Sequence, residues 1–273
     1  MTLEDSIGDI LSKARTSLQV SVDEAATAAG LSPAAYAELE KTGRPLPTDW
    51  NRLGAKLTLD GAKLSKIAQG WLPPAIDLSN WREIRAFSST EDGITVNCYL
   101  IWDEVTREAA LFDTGFDAAP ILACIAENDL QLKHFFLTHS HPDHLAALPA
   151  IRAQFPKLRL HSNSKNAPVD ARNRANDFIM LGSLRITNRE TPGHSDDGVT
   201  YVVGNWPEDA THVAIVGDAI FAGSMGGARD QLELARKKVR EQIFSLPSET
   251  LLCCGHGPLT TIAAEKANNP WFP

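Results

Sequence analysis

The sequence has no apolar run long enough to cross a membrane, because polar residues interrupt its hydrophobic stretches throughout. A membrane-spanning helix needs about 18 or more consecutive apolar residues. The chain begins Met1-Thr2-Leu3-Glu4-Asp5, which is acidic, and no apolar segment with a small-residue cleavage site follows. It therefore lacks the pattern of a secretory signal. We expect a cytoplasmic protein without a membrane partner.

The chain is also poor in cysteine and has no excess of positive charge. Its net charge of −8 argues against a general nucleic-acid binder, because phosphate contacts need clustered Lys and Arg. CxxC spacing, which would indicate a zinc ribbon or a dithiol site, does not occur among its cysteines. We interpret them as small buried apolar residues, and they are Cys98, Cys124, Cys253 and Cys254.

Two segments with different patterns follow one another along the chain. Residues 1–70 predict five short helices, and the capping-box sequence Ser21-Val22-Asp23-Glu24 marks the start of one of them. Residues 71–80 form a linker rich in proline. From residue 81 to 273, short apolar runs typical of strands alternate with helical patterns. This arrangement predicts a small helical domain followed by a larger α/β domain.

The helical segment resembles helix-turn-helix domains of the Cro and phage-repressor type, with Val22–Gly30 and Pro33–Lys41 as the two motif helices. Its charge does not suit DNA, because residues 1–70 hold eight Lys or Arg and nine Asp or Glu. The second motif helix offers Ala34 and Glu38 where base-reading helices carry Arg, Lys, Gln or Asn. We expect a structural or dimerising role rather than DNA binding, which leaves a homodimer open.

The most informative stretch is Thr138-His139-Ser140-His141-Pro142-Asp143-His144, which follows the apolar run Phe135-Phe136-Leu137. So many imidazole and carboxylate groups would be costly to bury without partners, and a solvated loop has no need of them. Imidazole nitrogen and carboxylate oxygen are ligands that Zn²⁺, Mn²⁺ and Fe²⁺ accept at about 2.0–2.2 Å. The stretch therefore predicts a metal site.

One loop cannot complete two coordination spheres, so further ligands must come from elsewhere in the chain. Three candidates each stand beside glycine, in Pro192-Gly193-His194, Gly217-Asp218 and Gly255-His256-Gly257. Glycine lets the backbone turn sharply and present the neighbouring side chain. Ordinary hydrogen-bonded or exposed positions are our interpretation of the other histidines, which are His134, His161 and His212.

The order HxHxDH, PGH, GD and GHG resembles the metallo-β-lactamase superfamily, from about Trp81 to the end of the sequence. The resemblance implies a four-layered αβ/βα sandwich, here preceded by the small all-α helix-turn-helix-like bundle. It also implies two divalent metal ions, zinc in the first place, with iron or manganese as alternatives. By similarity, His139, His141 and His194 hold one ion, Asp143, His144 and His256 hold the other, and Asp218 bridges them.

The C-terminal third resembles small bacterial proteins of the glyoxalase II (hydroxyacylglutathione hydrolase) type. Gly217–Ser224 reads GDAIFAGS where they have GDTLFAGS, and Thr260–Pro270 reads TTIAAEKANNP where they have TTIGEEKRTNP. The resemblance implies a hydrolase that cleaves an ester-like bond of a small-molecule substrate, preferably a thioester, by a hydroxide bridging the metals. Asp218 and Asp143 are the candidate catalytic residues, which would take up the proton.

One departure and two alternatives accompany this hypothesis. Gly226-Gly227 replaces the GR pair of the glyoxalase II type, so we expect a substrate smaller or less anionic than a glutathione thioester. A mononuclear iron persulfide dioxygenase is one alternative, and it would use His139, His194 and Asp218. The other is a helix-turn-helix regulator whose metal domain senses a ligand.

Overall fold

The computed structural model describes residues 2–174, 177–206 and 210–273, and its first part is helical. Each of the first five helices begins after a Ser or Asp whose side chain accepts a hydrogen bond from a backbone N–H in the first turn. These helices are α1 (Ile7–Ser17), α2 (Val22–Ala29), α3 (Pro33–Thr42), α4 (Trp50–Lys56) and α5 (Gly61–Ala68). The predicted helical bundle is confirmed.

Two mixed β-sheets form the centre of the remaining chain. The first has the order β1-β2-β3-β4-β5, with β1 (Ile84–Glu91), β2 (Ile94–Trp102), β3 (Glu108–Phe112), β4 (Gln131–Phe136) and β5 (Arg159–His161). The second has the order β11-β10-β9-β8-β7-β6, with β6 (Phe178–Leu181), β7 (Leu184–Glu190), β8 (Val199–Gly204), β9 (Val213–Gly217), β10 (Leu251–Cys254) and β11 (Thr260–Thr261). Strands β2 and β3 form an antiparallel hairpin.

Helices cover the outer face of each sheet, which gives the predicted four layers. Buried side chains of both sheets, such as Phe112 and Tyr201, share one apolar core between them. The outer face of the first sheet packs against α6 (Ala119–Glu127) and α7 (Leu148–Gln154). The outer face of the second sheet packs against α8 (Leu232–Lys238) and α9 (Ile262–Asn268). The fold class is therefore confirmed.

The helical bundle shares an apolar core with the outer helices of the second sheet. Buried residues of α1–α5, such as Leu39 and Leu64, belong to the same cluster as Ile243 and Trp271. A polar contact reinforces the junction, because the backbone N–H of Asp60 donates to the carbonyl oxygen of Pro270 at 2.8 Å. Apolar area removed from water at this junction stabilises the docked position of the bundle.

Arg236 of α8 makes the most buried polar contact between the bundle and the outer helices described here. Its side chain is 4% exposed, and its guanidinium donates to the hydroxyl and to the carbonyl oxygen of Thr58, each at 2.8 Å. The same guanidinium lies over the ring of Trp271, at 5.4 Å from the ring centroid. Thr58 joins α4 to α5, so one side chain of the larger part holds a turn of the bundle.

The division of the chain at residues 70 and 81 stays a prediction, as does the helix-turn-helix resemblance of α2 and α3. Within the ranges that the structure describes, no helix is long and apolar enough to cross a membrane.

Replacing Arg236 by Ala should lower the free energy of unfolding by about 2–3 kcal/mol, because Thr58 loses its donors and the stem of the side chain leaves a gap. Lys237→Ala is the matched control on the same helix. The Lys237 side chain is 68% exposed and faces Glu241 at 3.8 Å, so its loss should cost less than about 0.5 kcal/mol. Urea denaturation followed by circular dichroism measures both, and equal effects would contradict this account of the junction.

Candidate metal centre

The predicted ligands come together because their strands end at one edge of the two sheets. The loop after β4 carries His139, His141, Asp143 and His144, and β4 runs parallel to β3. Asp218 directly follows β9 and His256 follows β10, which are also parallel neighbours. The loop between β7 and β8 supplies His194. Parallel strands bring their carboxyl ends to the same side, so the residues after them can share one site.

The first group of side chains is formed by His139, His141 and His194, whose ligand-type nitrogens lie within 4.8 Å of one another. The Nδ1 atom of His141 is 3.0 Å from Nε2 of His139 and 3.1 Å from Nε2 of His194. Asp218 Oδ2 stands beside this group, at 3.4 Å from Nε2 of His194 and 3.9 Å from Nε2 of His139. Three nitrogens and one carboxylate oxygen therefore face a common point.

The second group is formed by Asp143, His144 and His256, which also lie within 4.8 Å of one another. Asp143 Oδ2 is 3.4 Å from Nε2 of His144 and 3.3 Å from Nε2 of His256. Asp218 reaches this group as well, with Oδ1 at 3.4 Å from Nε2 of His144 and Oδ2 at 3.4 Å from Nε2 of His256. The carboxylate of Asp218 thus lies between the two groups.

In three of the histidines, the ring nitrogen that points away from the cluster has a partner outside it. His256 Nδ1 donates to the carbonyl oxygen of Thr95 at 2.6 Å, and His194 Nδ1 donates to the carbonyl oxygen of Gly227 at 3.0 Å. His139 Nδ1 lies 3.1 Å from the hydroxyl of Thr138. A hydrogen bond at one ring nitrogen fixes the orientation of the ring and leaves the other nitrogen for a metal.

Asp113 organises the loop that carries four of the candidate ligands. Its Oδ1 accepts from the backbone N–H of Thr138 at 2.8 Å, and its Oδ2 accepts from the Thr138 hydroxyl at 2.7 Å and from His144 Nδ1 at 2.8 Å. Its φ of 57° lies in the left-handed region, which non-glycine residues seldom adopt. These hydrogen bonds orient both the loop and the His144 ring.

The chemistry of the cluster fits divalent cations. Two of its atoms, His144 Nε2 and Asp218 Oδ1, are buried without a hydrogen-bond partner among the described residues, and both face the other ligand-type atoms. Burial lowers the pKa of His144, but Asp113 and Asp218 outweigh it and raise the pKa to about 10. The carboxylates therefore attract positive charge to this point, and a metal ion supplies such charge in place of protons.

Two glycines make room for the cluster. A Cβ atom on Gly255 would overlap with Asp218 Oδ1 and lie 2.8 Å from the His144 ring. A Cβ on Gly226 would overlap with the carbonyl oxygen of Asp218 and lie 2.7 Å from Nδ1 of His194. Glycine thus serves here for close approach as well as for turning, which the sequence pattern did not distinguish.

The structure brings together the seven side chains predicted from the sequence, and ligation by them stays a proposal. The prediction that the cysteines are buried is confirmed for the residues concerned, and no cysteine joins the metal-type groups found among the described residues. The Thr95 and Gly227 carbonyl groups escaped prediction, because backbone acceptors carry no sequence signal. Thr138 directly precedes the HxHxDH motif and carries a hydroxyl, so its position in the sequence was a signal for this contact.

Comparison with known proteins identifies the family of this chain. A model of the metallo-β-lactamase superfamily matches residues 92–168. The probable metallo-hydrolase YqgX of Bacillus subtilis is 30% identical over 206 residues, which cover 66% of this chain and 93% of that protein. The chain belongs to the metallo-β-lactamase superfamily.

Two further members of the superfamily are informative. The hydroxyacylglutathione hydrolase GloC of Haemophilus influenzae is 28% identical over 201 residues, which cover 64% of this chain and 92% of that protein. The crystal structure of ETHE1 from Myxococcus xanthus matches with a TM-score of 0.58 and 30% identity, over 68% of this chain and 83% of that one. Membership of the superfamily, together with the hydrolase relatives, supports a metal-dependent hydrolase.

The neighbouring glycines 226 and 227 provide a test of the close approach to His194. Gly226→Ala should lower the metal content of the purified protein, because the new Cβ pushes His194 and the backbone of Asp218 apart. Gly227→Ala is the matched control, since its Cβ would meet no atom within 4 Å. The affinity for zinc should fall at least about tenfold more in Gly226→Ala than in Gly227→Ala. Zinc per chain after dialysis, measured by plasma mass spectrometry, reports this difference. Equal metal content in the two variants would refute the role of Gly226.

Proposed function

We propose that this protein is a dinuclear metal-dependent hydrolase that cleaves a thioester. The observation that carries the proposal is the position of Asp218, whose two oxygens face histidines of both groups. A carboxylate in this position suits a bridge between two cations. In this proposal His139, His141 and His194 hold one cation, and Asp143, His144 and His256 hold the other. Zinc is the first candidate, with iron or manganese as alternatives.

Two divalent cations in such a site polarise a carbonyl group and lower the pKa of water to about 7. The protein supplies the proton acceptors for the attack, which are Asp218 Oδ2 and Asp143 Oδ2. The attacking water gives its proton to one of these oxygens, and its oxygen bonds to the carbonyl carbon. The carbon–sulfur bond then breaks, and the leaving thiolate takes the proton. No Ser or Cys nucleophile is needed.

Similarity supports a thioester as the substrate. GloC, at 28% identity, is named for hydrolysis of hydroxyacylglutathione, which is a thioester. The segments Gly217–Ser224 and Thr260–Pro270 resemble the glyoxalase II type, and in the structure they contact each other. Asn269 donates to the carbonyl oxygen of Ser224 at 2.7 Å, so the closing segment supports the loop that follows Asp218.

A persulfide dioxygenase is the second candidate, because persulfide dioxygenase ETHE1 of Homo sapiens is 30% identical over 181 residues. That reaction would use one iron held by His139, His194 and Asp218. The complete second group of Asp143, His144 and His256 favours the dinuclear hydrolase. Metal analysis separates the two, since one iron per chain with oxygen consumption on glutathione persulfide would support the dioxygenase.

A regulator that binds DNA through the bundle is the candidate from a different class. Its second motif helix corresponds to α3, which offers Ala34 and Glu38 on its exposed side. Without clustered cations such a helix gains little from phosphate contacts. We propose a structural role for the bundle. Salt-dependent binding of the full chain to a defined DNA site would overturn this part of the proposal.

Thioester hydrolysis should depend on metal and on Asp218. We expect the zinc-loaded protein to cleave S-lactoylglutathione with kcat/KM below about 10⁷ M⁻¹s⁻¹, and chelation should abolish the activity. Asp218→Asn should lower kcat/KM on the order of 100-fold or more, because the bridging charge is lost. Asp129→Asn is the control, since this exposed residue precedes β4 at the opposite end of the strand from the ligand loop.

The same assay should include a lactone, a phosphodiester and a β-lactam. Turnover of one of these without turnover of any thioester would assign the protein another substrate class. Full activity of Asp218→Asn would remove the bridging role from that residue.

A further inference from the structure

The segment of residues 2–5, which precedes α1, runs beside the metal centre. Gly257 directly follows His256 and has a φ of 71°. A Cβ atom on Gly257 would lie 3.0 Å from the backbone nitrogen of Glu4 and 3.1 Å from its Cβ. Glu4 therefore packs directly on the backbone of the loop that presents a candidate metal ligand.

Buried polar contacts fix this segment in place. Asp5 is 5% exposed, and its Oδ2 accepts from the Ser224 hydroxyl at 2.5 Å and from Lys13 Nζ at 2.6 Å. Lys13 Nζ also donates to the carbonyl oxygen of Met225 at 3.3 Å. Ser224 and Met225 belong to the loop after Asp218, so the bundle and the metal centre hold this segment from both sides.

The carboxylate of Glu4 makes no ion pair with the described residues. Its side chain is exposed to solvent, and no Lys, Arg or His nitrogen of the described residues lies within ion-pair distance of its carboxylate, whereas Asp5 is paired with Lys13. Crowding by protein atoms on one side raises the pKa of Glu4, and the charge of His256 lowers it. Since Glu4 packs on Gly257, which adjoins His256, its charge lies beside the loop that presents this candidate ligand.

A cavity begins at the same segment. Its volume is about 530 Å³ and its walls come from residues 2–9, the α3–α4 loop, the end of α5 and the following linker. Apolar side chains dominate the walls, in particular Leu3, Ile67 and Trp71. Leu72 also lines it and is 48% exposed. Trp71 and Ile67 approach Gly223, which places this wall beside the loop that follows Asp218.

We infer that this cavity receives the part of the substrate remote from the scissile bond, and that Glu4 is a specificity residue that favours cationic over anionic substrates. The inference rests on the proposed function, since the substrate must reach from the metal centre past Glu4. A group with an apolar body and an amine fits these walls. Carboxylate groups, such as those of glutathione, meet an unpaired negative charge at the entrance. The helical bundle then forms part of the substrate site.

The test measures binding of two thioethers, which cannot be hydrolysed, to the zinc-loaded full chain by calorimetry. S-benzylcysteamine carries an amine, and 3-(benzylthio)propionate is a carboxylate of similar size. Glu4→Lys should weaken binding of the amine about tenfold and strengthen binding of the carboxylate about tenfold, as expected for reversal of one partly screened charge within several ångströms. Glu38→Lys on the exposed side of α3 is the control, because it changes the net charge equally.

Opposite shifts of the two dissociation constants, absent from the Glu38→Lys control, would support the inference. A merely structural effect of Glu4→Lys would move both constants in the same direction, which would overturn it. Failure of S-benzylcysteamine to bind the wild-type protein would overturn it too. Absence of thioester hydrolysis alongside the expected shifts would contradict the proposed function and leave the assignment of the cavity intact.

Discussion

The carboxylate of Asp218 is the group on which the rest of the site depends. It is 7% exposed, and a buried carboxylate is costly unless its charge is compensated. Nitrogens of four imidazoles lie 3.4–3.9 Å from its two oxygens. Compensation requires that these rings turn one chosen nitrogen inward. The outer partners Thr95, Thr138 and Gly227 meet this requirement, since each occupies the nitrogen that points away.

The two sheets position the loops that carry the side chains of the cluster. Neighbouring parallel strands deliver their following loops to one edge, which brings Asp113 beside the HxHxDH loop and Asp218 beside Gly255. The bundle adds a second layer of support, because Asp5 and Lys13 contact the loop that follows Asp218. The fold therefore holds the cluster from strand ends on two sides and from a helical segment on a third.

Much of this architecture could be predicted from local patterns. The capping box at Ser21 marked α2, and the ligand-type residues beside glycine marked the cluster, because both signals depend on neighbours in the chain. Strand β1 was not predicted, since most of its residues are exposed or half-buried and show little apolar alternation. The contact of Arg236 with Thr58 spans 178 residues, and no local pattern reports such a distance. For the same reason the sequence did not predict that Glu4 approaches His256.

One short loop, residues 219–227, touches both the metal centre and the bundle. Gly227 accepts the hydrogen bond of His194, whereas Ser224 and Met225 bind Asp5 and Lys13. A change in the order of this loop therefore affects both the metal centre and the bundle. Thermodynamic reciprocity requires that any effect of ion binding at His194 on docking of the segment before α1 is matched by an equal effect of docking on ion binding. Through such a coupling the helical bundle would influence the protein's affinity for its metals without contributing a ligand.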